Sequence, residues 1–284
     1  MLHGTRIPLK VVDLIEPYID AVLARNEPTT YEQTRPALFE HYRTFWTPRR
    51  SYARDLDATA LRGQRELVRS RLIHASACFA ALSLDVAELE IVLFVGYGTT
   101  NGHAFREKGR FVVWIPIETY TNVLYSDVFL SHEIAHALHY SQTPAFYFET
   151  VEEKDRISRL LITEGLATYL TCAVLGQSEG DSLWGGYLPQ EKLVRWMDEC
   201  ERRYPEMCAF LARNFDCSLS EHGLFCLYDT EAMDVFCSRG GYFAGLRVIQ
   251  GIARGRGLTV ADLLLLDRQV FEGLVREQLT AGSF

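Results

Sequence analysis

Apolar positions recur every three or four residues along much of the chain, the spacing that lays one face of a helix on a core. Val12, Ile15, Ile19, Val22 and Leu23 mark a first helix over 11–25. Leu38, Phe39, Tyr42, Phe45 and Trp46 mark a second over 31–46, closed by Pro48, and a longer one follows over 57–82. The pattern then changes. Residues 90–95 (EIVLFV) and 111–115 (FVVWI) are dense in β-branched and aromatic side chains and are separated by Gly96, Gly98 and Gly102. They predict two neighbouring strands, as a hairpin or side by side. Pro116 cannot donate to a ladder, which puts that strand end at a sheet edge. Helical spacing returns over 120–140, stopped by Pro144, and over 151–175. Residues 176–186 (GQSEGDSLWGG) read as a loop or lobe boundary. Helices over 189–203 and 205–214 begin on proline, which suits a first turn. Residues 220–236 show no clear period. A helix over 240–252 starts on glycine, and Thr259 with Asp262 resembles a capping box opening a final helical pair.

These elements predict an α+β fold, mostly helical, with a small sheet beside the helix at 120–140 and two lobes around a cleft. The expected segments are a helical region over 1–88, a core over 89–176 and a C-terminal helical lobe over 177–284.

Composition narrows the function. Hydrophobic residues make up 48% and charged residues 23%, ordinary values for a globular protein. A net charge of −8 argues against a nucleic-acid surface. Eight arginines from Arg43 to Arg71 read as a solvated helix face rather than a docking site for an acidic partner. Seven cysteines, an odd number with no CxxC pair, read as reduced thiols. The first residues lack an apolar leader, and runs such as 91–95 and 263–266 are too short to span a bilayer. The expectation is a cytoplasmic protein with no membrane partner, export without a signal staying open.

The chemistry concentrates in residues 131–140, SHEIAHALHY. His132, Glu133 and His136 spell H-E-x-x-H. On a helix the two imidazoles lie one turn apart on one face and can reach one cation, and Glu133 can hold a water on it. With 8 histidines in 284 residues, chance supplies roughly 0.02 such matches per chain. The plain alternative is a core helix with two satisfied histidines. Catalytic zinc takes three protein ligands. Gly at 139 and His at 142 would mark a metzincin; this chain has His139 and Gln142. The run LLITEGLATYL (160–170) offers Glu164, its one charge, which is costly to bury without a cation. Gly165 would let its helix approach the metal helix closely. Thr168, one turn on, would hydrogen-bond a ligand imidazole. Glu149, Glu152 and Glu153 are rival ligands, and Glu164 could instead pair with a distant Arg. His41 and His74 read as structural, and His103 as an exposed loop side chain, with a cleft residue as the alternative.

HExxH followed by Glu on a second helix resembles the gluzincin metallopeptidases. EGLATY is similar to the EGLA signature of a bacterial family of Zn-dependent proteases, together with VGYGTTNG (95–102) and G-Y-x-x-G (241–245). The likeness spans roughly 89–255 and leaves out the first 88 residues. It implies one bound Zn2+, a peptide or protein substrate, and a strand of Val112, Val113, Trp114 and Ile115 that pairs with it; the plain alternative is two core strands with no substrate role. The alternatives are a zinc hydrolase acting on a small non-peptide substrate and an inactive zinc-binding interaction module. An oxyanion donor is expected from the C-terminal lobe: Tyr242, which the G-Y-x-x-G likeness supports, or His222. The oligomeric state does not follow from the sequence.

Overall fold

The computed structural model describes residues 7–47, 56–82, 84, 86–219, 223–226 and 234–281. It is a mostly helical α+β protein with one small mixed sheet. In chain order come β1 (Leu9–Asp13), α1 (Ile15–Tyr18), α2 (Pro28–Glu32), α3 (Pro36–Phe45), α4 (Ala58–Phe79), β2 (Leu89–Phe94), β3 (His103–Glu107) and β4 (Arg110–Pro116). Then follow α5 (Val123–Gln142), α6 (Val151–Lys154), α7 (Ile157–Leu175), α8 (Glu179–Trp184), α9 (Gln190–Arg213), α10 (Gly240–Arg256), α11 (Val260–Leu264) and α12 (Arg268–Ala281). Internal contacts group Met1–Ala137 into one compact unit and Leu138–Phe284 into another.

In the first unit the sheet runs β1-β2-β4-β3. β1 and β4 flank β2 in parallel, and β3 joins β4 antiparallel. All six residues of β2 are buried, the continuous apolar run expected of a central parallel strand. Glu90 is the exception in type, and Lys10 (2.8 Å), Arg35 (2.6 Å) and Arg110 (2.9 Å) all pair with it. Three features of the sequence reading are corrected here. Leu9–Asp13 is a strand, because its partner is β2, 80 residues on. The helix expected over 31–46 is two, broken where Pro36 starts α3. The strand holding Val112, Val113, Trp114 and Ile115 is not an edge. Pro116 is the last residue of β4, so its missing N–H falls at the end of the ladder and pairing continues on both sides. A peptide cannot add beside those four residues; β1 and β3 hold the edges.

The described arginines of the basic stretch are paired, while Arg49, Arg50 and Arg54 lie outside the described residues. Arg62 and Arg65 meet Glu16, Arg69 meets Asp13, and Arg43 meets Glu32.

In the second unit α10 packs along α7, with α9 and α12 beside it. Trp196 stacks edge-on to Trp184 at 5.1 Å and donates to the Ser238 carbonyl at 2.8 Å. α9 runs through Pro205 as one helix instead of two. The glycine-rich run at 176–186 contains α8. Thr259 and Asp262 form the expected capping box. Among the described residues, α7 is the one helix long and apolar enough to cross a membrane, with mean hydropathy 1.2; 67% of that stretch is buried inside the protein. All seven cysteines are free.

Candidate metal centre

α5 is buried on every side from Ser126 to Tyr140, so its apolar residues need no single stripe. Asn122 caps its first turn, accepting from the Tyr125 N–H at 2.9 Å. Arg71 of α4 grips Asp127 with two hydrogen bonds, at 2.6 and 2.9 Å. That paired fork fixes the start of α5 and its rotation. One turn further on, His132 and His136 are 5% and 3% exposed.

Their Nε2 atoms lie 3.1 Å apart. Two ligands about 2.05 Å from one tetrahedral ion sit roughly 3.3 Å apart, so the pair is already spaced for a shared cation. Glu164 on α7 completes the group: His132, His136 and Glu164 offer ligand atoms that all lie within 4.8 Å of one another. Two imidazoles and a carboxylate can hold a metal ion, and the residues present fit one. The rival carboxylates stand apart: Glu149 and Glu152 are exposed, and Glu153 pairs with Arg268 at 2.6 Å.

α7 is held by features the sequence did not reveal. The guanidinium of Arg159, 2% exposed, donates to the Phe146 carbonyl (2.9 Å), the Lys154 carbonyl (3.1 Å) and the Tyr140 hydroxyl (2.7 Å). It ties the last turn of α5 to the first turn of α7. Gly165 sits against α10: a Cβ there would lie 2.6 Å from the Gly245 carbonyl carbon. The glycine–glycine crossing therefore sits one residue from Glu164. Thr168 does not hydrogen-bond an imidazole; its hydroxyl donates to the Glu164 carbonyl at 2.8 Å, the return bond a helical Thr favours.

Glu133 is 4% exposed and lies against the turn at Gly102, where a Cβ would come 2.8 Å from its Cγ. His103 is not an exposed loop residue. It opens β3, is 5% exposed, stacks on His41 at 5.7 Å and reaches to 6.4 Å from the His136 ring. His41 sits among Phe45, Phe105 and Trp114, and burial lowers its pKa from 6.5 to about 4. The alternation of HAFRE was the available signal for β3, masked by the glycines before it. His139 packs on Phe146 at 4.5 Å, an aromatic contact in the place where a metzincin has its turn.

Tyr242 lies in the first turn of α10, one turn before Gly245, and is half-exposed. The Arg239 guanidinium covers its ring at 4.4 Å. His222 lies outside the described residues. Comparison with protein-family models, with curated proteins and with solved structures finds no match.

Proposed function

We propose that the protein is a zinc metallopeptidase of the gluzincin type, cleaving peptide bonds with a metal-activated water. The observation that supports this is the donor group of His132, His136 and Glu164 within 4.8 Å, with Glu133 buried next to it on the same helix. Two imidazoles and one carboxylate are the three-protein-ligand set of a catalytic zinc with an open position. Zinc, when bound, supplies a Lewis acid that polarises the scissile carbonyl and acidifies a water. His132 and His136 would hold the ion as neutral imidazoles, and Glu164 would offset part of its positive charge. Glu133 takes the proton of the attacking water and hands it to the leaving amine. Tyr242 donates its O–H to the carbonyl oxygen as negative charge develops there. A base beside the ligands favours catalysis over a binding-only module, which has no use for one. The resemblance of EGLATY to the EGLA proteases points the same way.

The test is Glu133→Gln, which keeps shape and removes basicity. It should retain about one zinc per chain by elemental analysis and lose turnover of a quenched fluorescent peptide library by several orders of magnitude. Parent-like cleavage by the variant would sink the mechanism. Loss of zinc would make Glu133 a ligand instead of a base.

A further inference from the structure

The loop from Val95 to Gly102 is fastened by four side chains, from α2, α3 and the segment just after β4. Glu118, just after β4, accepts from the Gly96 N–H (3.0 Å) and the Gly98 N–H (3.0 Å). Tyr42 of α3 accepts from the Tyr97 N–H at 2.9 Å. Tyr31 of α2 accepts from the Val95 N–H at 2.8 Å, where β2 enters the loop. Tyr120 donates to the Asn101 carbonyl. Burial raises the pKa of the Glu118 carboxyl, and hydrogen bonds from the backbone N–H groups of Glu118, Gly96 and Gly98 offset only part of that rise.

The held loop ends on Glu133. Gly102 has φ +152, and a Cβ there would meet Glu133 Cγ at 2.8 Å, Ile115 Cδ1 at 3.0 Å and the Trp114 carbonyl at 3.2 Å. The backbone at Gly102 thus forms one wall of the slot in which the Glu133 side chain stands, and only a residue without a side chain leaves that slot open. We infer that the loop, anchored by Glu118, sets the rotamer of Glu133, which makes Gly102 and Glu118 positioning residues for the general base. The inference rests on the proposed role of Glu133. A base must be held within a few tenths of an ångström of its proton to act well, and a carboxylate on a helix has several rotamers from which to choose.

Three variants test it. Gly102→Ala pushes a methyl into the slot. Gly98→Ala is the control: it has the same loop and a positive φ of +66, but open space around its Cβ. Glu118→Gln keeps volume and exchanges Oε2, which accepts from the Gly96 N–H at 3.1 Å, for an amide donor that opposes that N–H, leaving one oxygen for both glycines. Metal content, thermal unfolding, kcat and KM on the fluorescent peptide library, and the 13C carboxyl signal of Glu133 in the metal-free protein are measured for each. The expected result is parent-like metal content throughout. Gly102→Ala and Glu118→Gln should lower kcat tenfold or more with KM within about twofold, and should shift or double the Glu133 signal. Gly98→Ala should do neither. Unchanged kcat and an unchanged Glu133 signal in Gly102→Ala, or an equal effect in Gly98→Ala, would overturn the inference. If Gly102→Ala does not fold, Glu118→Gln decides by the same two readouts. If Glu133→Gln cleaves like the parent, the reading of Glu133 as base fails, while the carboxyl signal still reports whether the loop sets its rotamer.

Discussion

Replacing Gly165 with Ala should separate two helices that the fold holds in backbone contact. The added Cβ would lie 2.6 Å from the Gly245 carbonyl carbon, 2.7 Å from its oxygen and 2.8 Å from its Cα. Carbon atoms rest about 3.5 Å apart or more, so α10 must retreat by roughly 0.8 Å over the whole crossing. No rotamer change relieves it, because the obstructing atoms are main chain. Overpacking of this kind costs about 1–3 kcal/mol, and a rigid partner puts it at the upper end. Alanine recovers up to ~1 kcal/mol of helix propensity over glycine. The net expectation is a loss of about 2 kcal/mol, or a fall in Tm of roughly 4–8 °C for a unit this size. Urea and thermal unfolding in EDTA measure it without metal linkage. Gly63→Ala is the companion variant. Gly63 is exposed in the middle of α4 with nothing near its Cβ, so alanine there should stabilise by up to ~1 kcal/mol. A Gly165→Ala protein as stable as the parent, with Gly63→Ala behaving as expected, would refute the close crossing. The crossing is one residue from Glu164, so zinc affinity of Gly165→Ala should fall as well.

Glu164→Ala should drop zinc occupancy well below one per chain, as loss of one of three ligands weakens the site; full occupancy by elemental analysis would return attention to Glu149, Glu152 and Glu153. Tyr242→Phe should cut kcat about a hundredfold, with KM and zinc content little changed; an unchanged kcat removes Tyr242 from the site. Stability should also depend on His41. Its folded pKa of about 4 is depressed below 6.5, so its contribution is complete above about pH 6.5 and is lost as pH falls towards 4, by up to ~3 kcal/mol. Urea midpoints at pH 7 and 4.5 should converge in His41→Phe; identical pH dependence in parent and variant contradicts it.

The group that could hold a metal was legible because each of its parts has a short-range signal. His132 and His136 are one turn apart by helix geometry, and Glu164 stood out as the one charge in an apolar run. What surrounds them was not local. Leu9–Asp13 has the same apolar residues whether read at period two or 3.6, and it becomes a strand because β2 lies beside it. Gly165 announced a close approach, read from the sequence as one to the metal helix; the backbone it meets is that of Gly245, 80 residues away. Pro205 carries the same signature at the first turn of a helix and inside a long one; continuity of the buried face, with Cys200 before it and Met207 and Cys208 after it, decided for α9. Arg159 and Glu118 lie in no motif, and their value comes from backbone groups they reach in three dimensions.

β1 also has a protective role. It covers one side of β2, the strand LEIVLF whose residues are all buried. A protein shortened past Asp13 would keep every proposed metal ligand and the proposed base. It would also present β2 as a bare, flat, apolar edge, with Glu90 deprived of Lys10. Such edges recruit the strands of other molecules. The shortened protein is expected to bind zinc and yet self-associate, so the first strand acts as the gatekeeper that keeps this sheet finite.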